Sequence, residues 1–154
     1  MLTVQAVPIS QQLFSPFGIY QQVKVGTGLS GDRWNAWMTD EVCLDKPAYF
    51  SVNFSVSQPA VITGMQRNVH TDEMLLSSDQ PILFVVADNI KTPAVADCHA
   101  FLLCPGDLVI INKNIWRSPC YGMVGETCYY SLTTKYADAE HMPVEALKID
   151  FAHM

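Results

Sequence analysis

The chain has 154 residues, nine Lys plus Arg against fifteen Asp plus Glu, a formal net charge of -6, 49% hydrophobic residues and 16% charged ones. A chain of that length folds around one core, its composition excludes a disordered protein, and its scattered basic residues argue against a nucleic-acid partner. No apolar run approaches the roughly 20 residues that span a bilayer, and MLTVQAVPIS lacks the basic start and apolar core of a signal peptide, so a cytoplasmic protein without a membrane partner is expected.

In chain order, Thr3–Val7 reads as a short extended segment closed by Pro8, and Ser10 as the N-cap of one helical turn through Leu13 and Phe14. Pro16 and Gly18 end that turn. Gln21–Arg33, with Gly26, Gly28 and Gly31, reads as a loop or hairpin tip rather than a phosphate-binding loop, since no helix start follows it. Trp34–Thr39 gives an aromatic strand.

Tyr49–Ser57 shows the clearest alternation in the chain. Phe50, Val52, Phe54 and Val56 share one face, which is expected to point into the core beside Ile82, Phe84, Val86, Leu108 and Ile110, while Ser51, Asn53 and Ser55 face out. Ala60–Met65 is extended, Met74–Leu76 continues that wall, Ser77–Pro81 is a turn, and Ile82–Ala87 is a fully apolar strand. Asn89–Asp97 reads as a loop, Ala100–Leu103 as a strand, Pro105–Asp107 as a turn, and Leu108–Ile111 and Thr127–Thr133 as strands. Pro143–Leu147 looks like one helical turn with Pro at its first position, followed by a short strand Lys148–Phe151.

Short strands at this spacing with no sustained helical period imply an antiparallel sandwich or barrel. Nothing marks a linker or a repeat, so residues 1–154 form one domain. The five cysteines are odd in number and form no C-x-x-C pair, and they read as reduced, mostly buried small hydrophobes. The low charged fraction and the pair Trp34 and Trp37 suggest a homodimer formed through a sheet edge or face.

Chemistry concentrates in two stretches. GMQRNVHTDEM carries Arg67, His70 and Glu73, which could converge on one pocket where a strand bends, although 70 and 73 point opposite ways on an ideal strand. LVIINKNIWRSP carries Asn112, Trp116 and Arg117 at the end of an apolar strand, where a barrel rim would lie; a guanidinium fork there suits a small carboxylate. The plainer reading makes His70 and Glu73 surface polar residues at a strand end, Asn112 a turn residue and Trp116 part of the core.

The order of these features resembles the cupin-fold family of ureidoglycolate lyases, also known as ureidoglycolate hydrolases. VQAVPISQQLFSPFG, VNFSVSQP, MQRNVHTDE, LVIINKNIWRSP and ADAEHMPVEALKIDF carry the likeness. It implies a double-stranded β-barrel of the cupin (jelly-roll) type with one or two short helices, a homodimer, and an enzyme that eliminates urea from ureidoglycolate to give glyoxylate. In that reading His70 and Glu73 are catalytic, and Arg67, Asn112, Trp116 and Arg117 bind the substrate. The chain departs from the family at Asn68, Asn112 and Arg117, where the family pattern runs to His, so only His70 and Glu73 stand near the positions that hold a divalent metal. Two other functions fit the same barrel: a non-catalytic or diverged cupin that binds a small carboxylate or a sugar-derived ligand, and a sugar-related isomerase or epimerase.

Overall fold

The computed structural model describes residues 1–44, 46–55, 61–88, 91–134 and 139–154. Its elements are β1 (Leu2–Pro8), α1 (Gln11–Phe14), β2 (Gly18–Gln22), β3 (Leu29–Gly31), β4 (Trp34–Ala36), β5 (Tyr49–Ser55), β6 (Val61–Asn68), β7 (Glu73–Ser77) and β8 (Ile82–Ala87). After a 3-10 turn at Val95–Asp97 follow β9 (Cys98–Leu103), β10 (Asp107–Ile111), β11 (Trp116–Arg117), β12 (Tyr121–Gly122), β13 (Thr127–Thr133) and β14 (Ala139–Asp150). α1 is the single turn anticipated, with the Ser10 hydroxyl accepting from the Leu13 amide at 3.3 Å.

Two sheets carry the molecule. One runs β2-β10-β7-β13-β5 and is antiparallel throughout; the other runs β11-β6-β14-β1-β9-β8-β12. β11 bonds to both β6 and β8, so the order of the second sheet returns on itself. The chain repeatedly crosses between sheets, from β7 to β8 and from β9 to β10, as a jelly roll requires.

β8 is buried on both faces and separates two apolar clusters. Ile82, Phe84 and Val86 pack with Phe14, Phe101, Leu75, Val109 and Ile111, between the two sheets. Leu83, Val85 and Ala87 pack with Ile62, Trp116, Leu147 and Ile149, all from strands of the second sheet. The continuous apolar run predicted for Ile82–Ala87 thus reflects a strand with no solvent side.

Several expectations are corrected. β5 forms where the alternation placed it, but Phe50, Val52 and Phe54 are 63%, 47% and 72% exposed and face out; Val56 lies outside the described residues. Register explains the inversion: Ser55, Asn53 and Ser51 pair with Thr127, Tyr129 and Ser131 of β13, and Tyr129 belongs to the inter-sheet core. Leu108 and Ile110 are buried, but it is Val109 and Ile111 that enter that core.

The expected helical turn at Pro143–Leu147 is part of β14, which pairs with β6 through a register shift between Pro143 and Leu147. Pro cannot donate to a ladder, and an irregularity is where a strand tolerates one. The stretch Gln21–Arg33, expected to be a loop or hairpin tip, contributes the end of β2 and all of β3. Gly18, which opens β2, lies so close to the Ile110 carbonyl that a Cβ would collide with it. The aromatic strand is only β4, hairpinned to β3, and Trp34 lies against Gly31 of its own hairpin. Of the cysteines, all free, only Cys120 is buried, while Cys43 and Cys104 are exposed. No described helix is long and apolar enough to cross a membrane.

Candidate functional site

Glu73 opens β7 in the first sheet, and Arg117 ends β11 in the second. Alternation turns both side chains inward: Arg117 follows Trp116, which enters the second cluster, and Glu73 lies two residues before Leu75 of the inter-sheet core. There the two make a bidentate pair. Arg117 Nη2 donates to Glu73 Oε2 at 2.7 Å, Nε donates to Glu73 Oε1, and Nη1 donates to the Ser118 carbonyl at 3.1 Å. Burial alone would lower the guanidinium pKa, but the Glu73 charge and hydrogen bonds outweigh it and hold the pKa above its ordinary value.

Cys120 and Tyr129 extend this cluster and are hydrogen-bonded to each other. Burial pushes the Cys120 thiol up to about 12, against the opposing pull of Arg117, and burial and Cys120 raise the Tyr129 phenol as well. Both groups are neutral at physiological pH. The cluster carries one negative and one positive charge, and they cancel.

From Tyr129 a polar surface runs to the edge of the first sheet. Asn53 Nδ2 donates to Ser131 Oγ at 3.2 Å and contacts the Tyr129 carbonyl at 3.4 Å. Ser77, Thr127, Ser131 and Thr133 are buried on the same inward face. Ser55 Oγ and Thr127 Oγ1, on directly paired residues, are buried without a hydrogen-bond partner. Buried polar atoms are nearly always partnered, so two adjacent orphans on one barrel wall need an explanation.

The residues singled out from the sequence divide among four places. Glu73 and Arg117 meet inside the barrel. Arg67 and Trp116 meet elsewhere, with the guanidinium 4.5 Å from the indole centroid and Nε 2.8 Å from Glu140 Oε2. His70 sits on the bend after β6, exposed, in a cleft of about 590 Å³ lined by Val42, Cys43, Leu44, Thr71, Asp72 and Lys113. Asn112 is an exposed turn residue whose amide donates to the Phe17 carbonyl at 2.9 Å. A cavity shared by His70, Glu73 and Arg117 is therefore not formed: Glu73 is 3% exposed and faces the core, whereas the bend carries His70 to the surface.

The same geometry bears on a metal. Glu73 gives both carboxylate oxygens to Arg117, His70 is in another cleft, and no described group of three or more His, Cys, Asp or Glu could hold an ion. The donor set does not fit a divalent cation at His70 and Glu73.

Tyr129, Cys120, Asn53 and Ser131 were not anticipated. For Tyr129, Asn53 and Ser131 the signal was present in TCYYSLT and YFSVNFS, where the polar positions alternate as regularly as the apolar ones. A cleft of about 650 Å³, lined among others by Phe17, Asp97 and His99, lies between α1, β1 and β9, away from the buried pair. His99 is there packed on Phe17, with ring centroids 5.1 Å apart.

No family model matches the chain, and no curated protein matches it. Among solved structures, the dTDP sugar isomerase from Desulfovibrio desulfuricans is similar at TM-score 0.52 and 10% identity, over 83% of this chain and 86% of that one. RmlC from Streptococcus suis, in complex with dTDP-D-xylose, gives TM-score 0.41 and 11% identity over 58% of this chain and 44% of its own. Peruvianin-I, described as a cysteine peptidase from Thevetia peruviana latex, gives 0.47 and 15% over 64% and 57%. The chain thus spans about half the length of these last two proteins. The architecture is all-β, a barrel of the cupin (jelly-roll) type.

Proposed function

We propose that the barrel binds a small, uncharged or zwitterionic polar molecule, such as a sugar derivative, against the inward face of β5 and β13. The observation that carries this reading is the inverted polarity of β5: its apolar residues face out, while Ser51, Asn53 and Ser55 line the interior with Thr127, Tyr129 and Ser131. A wall of hydroxyls with two unpartnered oxygens does little for a core and suits a ligand rich in hydroxyl and carbonyl groups. The Glu73–Arg117 pair offers such a ligand fixed dipoles without net charge.

A small carboxylate is less well served there, because Glu73 already neutralises Arg117. Elimination of urea from ureidoglycolate rests on the sequence resemblance, with Glu73 as the base nearest the polar wall. It requires the carboxylate to leave Arg117 when substrate arrives.

Thermal-shift and calorimetric titrations with monosaccharides, small hydroxy acids and ureidoglycolate test the reading, with glyoxylate release followed in parallel. A sugar-type ligand should stabilise the wild type and lose most of its effect in Asn53→Leu and Ser131→Val. Binding unchanged in both variants would remove the polar wall from the site. Glyoxylate release that depends on Glu73 would instead favour the lyase.

A further inference from the structure

The outward face of the five-stranded sheet is apolar across its strands, whereas the inward face is apolar at Leu75, Val109 and Ile111 and turns polar toward β13 and β5. Following one row of the ladder across it, Val52 of β5 lies beside Tyr130, Leu76, Leu108 and, at the far edge, Gln21. The neighbouring rows hold apolar residues, and none of the outward positions of the five strands carries Asp, Glu, Lys or Arg. Burial falls steadily from Leu108 toward β5: Leu108 is buried, Leu76 and Tyr130 are half-buried, and Val52 is exposed. Phe50 stacks on Tyr130 with centroids 5.9 Å apart and planes at 15°, which presents a flat aromatic surface to solvent.

We propose that this face is where a second copy of the chain docks, as a two-fold homodimer with β5 crossing β5 antiparallel at Val52. Three features favour a second copy over another partner. The outward sequence Phe50-x-Val52-x-Phe54 reads the same in both directions about Val52, so a two-fold axis there sets each Phe50 against Phe54 of the partner subunit. The chain carries a net charge of -6, and a charge-free face is where two copies meet without opposing like charges.

The third feature is area. An aromatic side chain presents roughly 150–250 Å², so Phe50 and Phe54, at 63% and 72% exposure, leave on the order of 250 Å² bare. Val52, Tyr130 and the half-buried neighbours bring the patch to roughly 500 Å², toward the upper end of the largest apolar patch a monomer carries and about what the apolar centre of an interface burying some 800 Å² per partner needs. Docking would also brace β5, which ends the sheet order and carries Asn53 on its other side.

Sedimentation at micromolar concentration tests the assignment. The wild type should run as a dimer, and Val52→Arg and Val52→Glu should each run as monomers, because each sets two like charges against one another on the axis. An equimolar mixture of the two variants should recover a dimer containing one chain of each. Val25→Arg, at an exposed position on the segment between β2 and β3, should leave the dimer intact. Should either Val52 variant fail to fold, Phe50→Ser with Phe54→Ser takes its place as the monomerising change. A monomeric wild type, a dimer that survives the Val52 variants, or a mixture that stays monomeric would each overturn the proposal.

Discussion

Glu73 and Arg117 meet side by side in the core, from opposite sheets, and their two parallel hydrogen bonds join β7 to β11 through the barrel. Each charge is removed from water, so each depends on the other. Arg117→Met should lower stability by about 3–5 kcal/mol because it strands the Glu73 carboxylate, and Glu73→Leu should do the same to the guanidinium. Arg117→Met with Glu73→Leu should recover most of that loss. Urea unfolding of the three variants measures it, and single and double losses that simply add would show that the two groups do not interact.

The buried thiol should make stability fall in alkali. Cys120 is raised from 9.0 to about 12, chiefly by burial, so the folded chain holds that proton more tightly than the unfolded one does. The contribution is whole below about pH 9 and is lost as pH rises toward 12, and Tyr129 shifts in the same sense. The urea midpoint should therefore drop between about pH 9 and 12, and more shallowly in Cys120→Ala. An unchanged slope in that variant would mean Cys120 does not titrate differently in the two states.

Alkylation distinguishes the cysteines at neutral pH. Cys43 and Cys104 are exposed and should react with iodoacetamide in the native protein, whereas Cys120 should react only on unfolding. Peptide mapping after a timed reaction reads the order.

Two phenylalanines of the same size should behave oppositely. Phe84→Ala, deep between the sheets, should cost about 3–5 kcal/mol of monomer stability through the cavity it leaves. Phe54→Ala, at a 72% exposed position, should cost under about 1 kcal/mol when measured at dilutions that keep the chain monomeric. Equal losses would place Phe54 in the core.

Outside the barrel interior, Arg67 bridges Glu140 and covers Trp116. Arg67→Ala should lower stability by roughly 1–2 kcal/mol, of which the cation–π contact is the part that Arg67→Lys retains least well. Thermal unfolding of the two variants against the wild type separates these contributions.

Local chemistry explains what was legible in the sequence. Ser10 and the single turn after it, the apolar run Ile82–Ala87, the alternation of Tyr49–Ser55 and the turn before β10 each depend on neighbours within a few residues. Alternation tells which residues share a face, but it cannot tell which face is inside. For β5 that was decided by its register on β13 and by which side of the sheet the second sheet covers. The same limit hid Asn53 and Ser131 and misplaced Phe54.

Pairing across long separations was equally beyond the local pattern. Arg117 reaches Glu73 because β11 bonds to β6 and β8 in one sheet while β7 lies at the centre of the facing one, and His70, three residues before Glu73, is turned out by the bend between β6 and β7. Pro143–Leu147 reads as helix on its own residues, yet β6 draws it into a strand because the ladder on either side satisfies more backbone groups than one helical turn could. Local pattern settled most of the longer strands and the polarity along them. The packing of one sheet on the other decided which of those patterns became core, which became a polar wall and which was left facing solvent, because burial belongs to pairs of surfaces and not to a single strand.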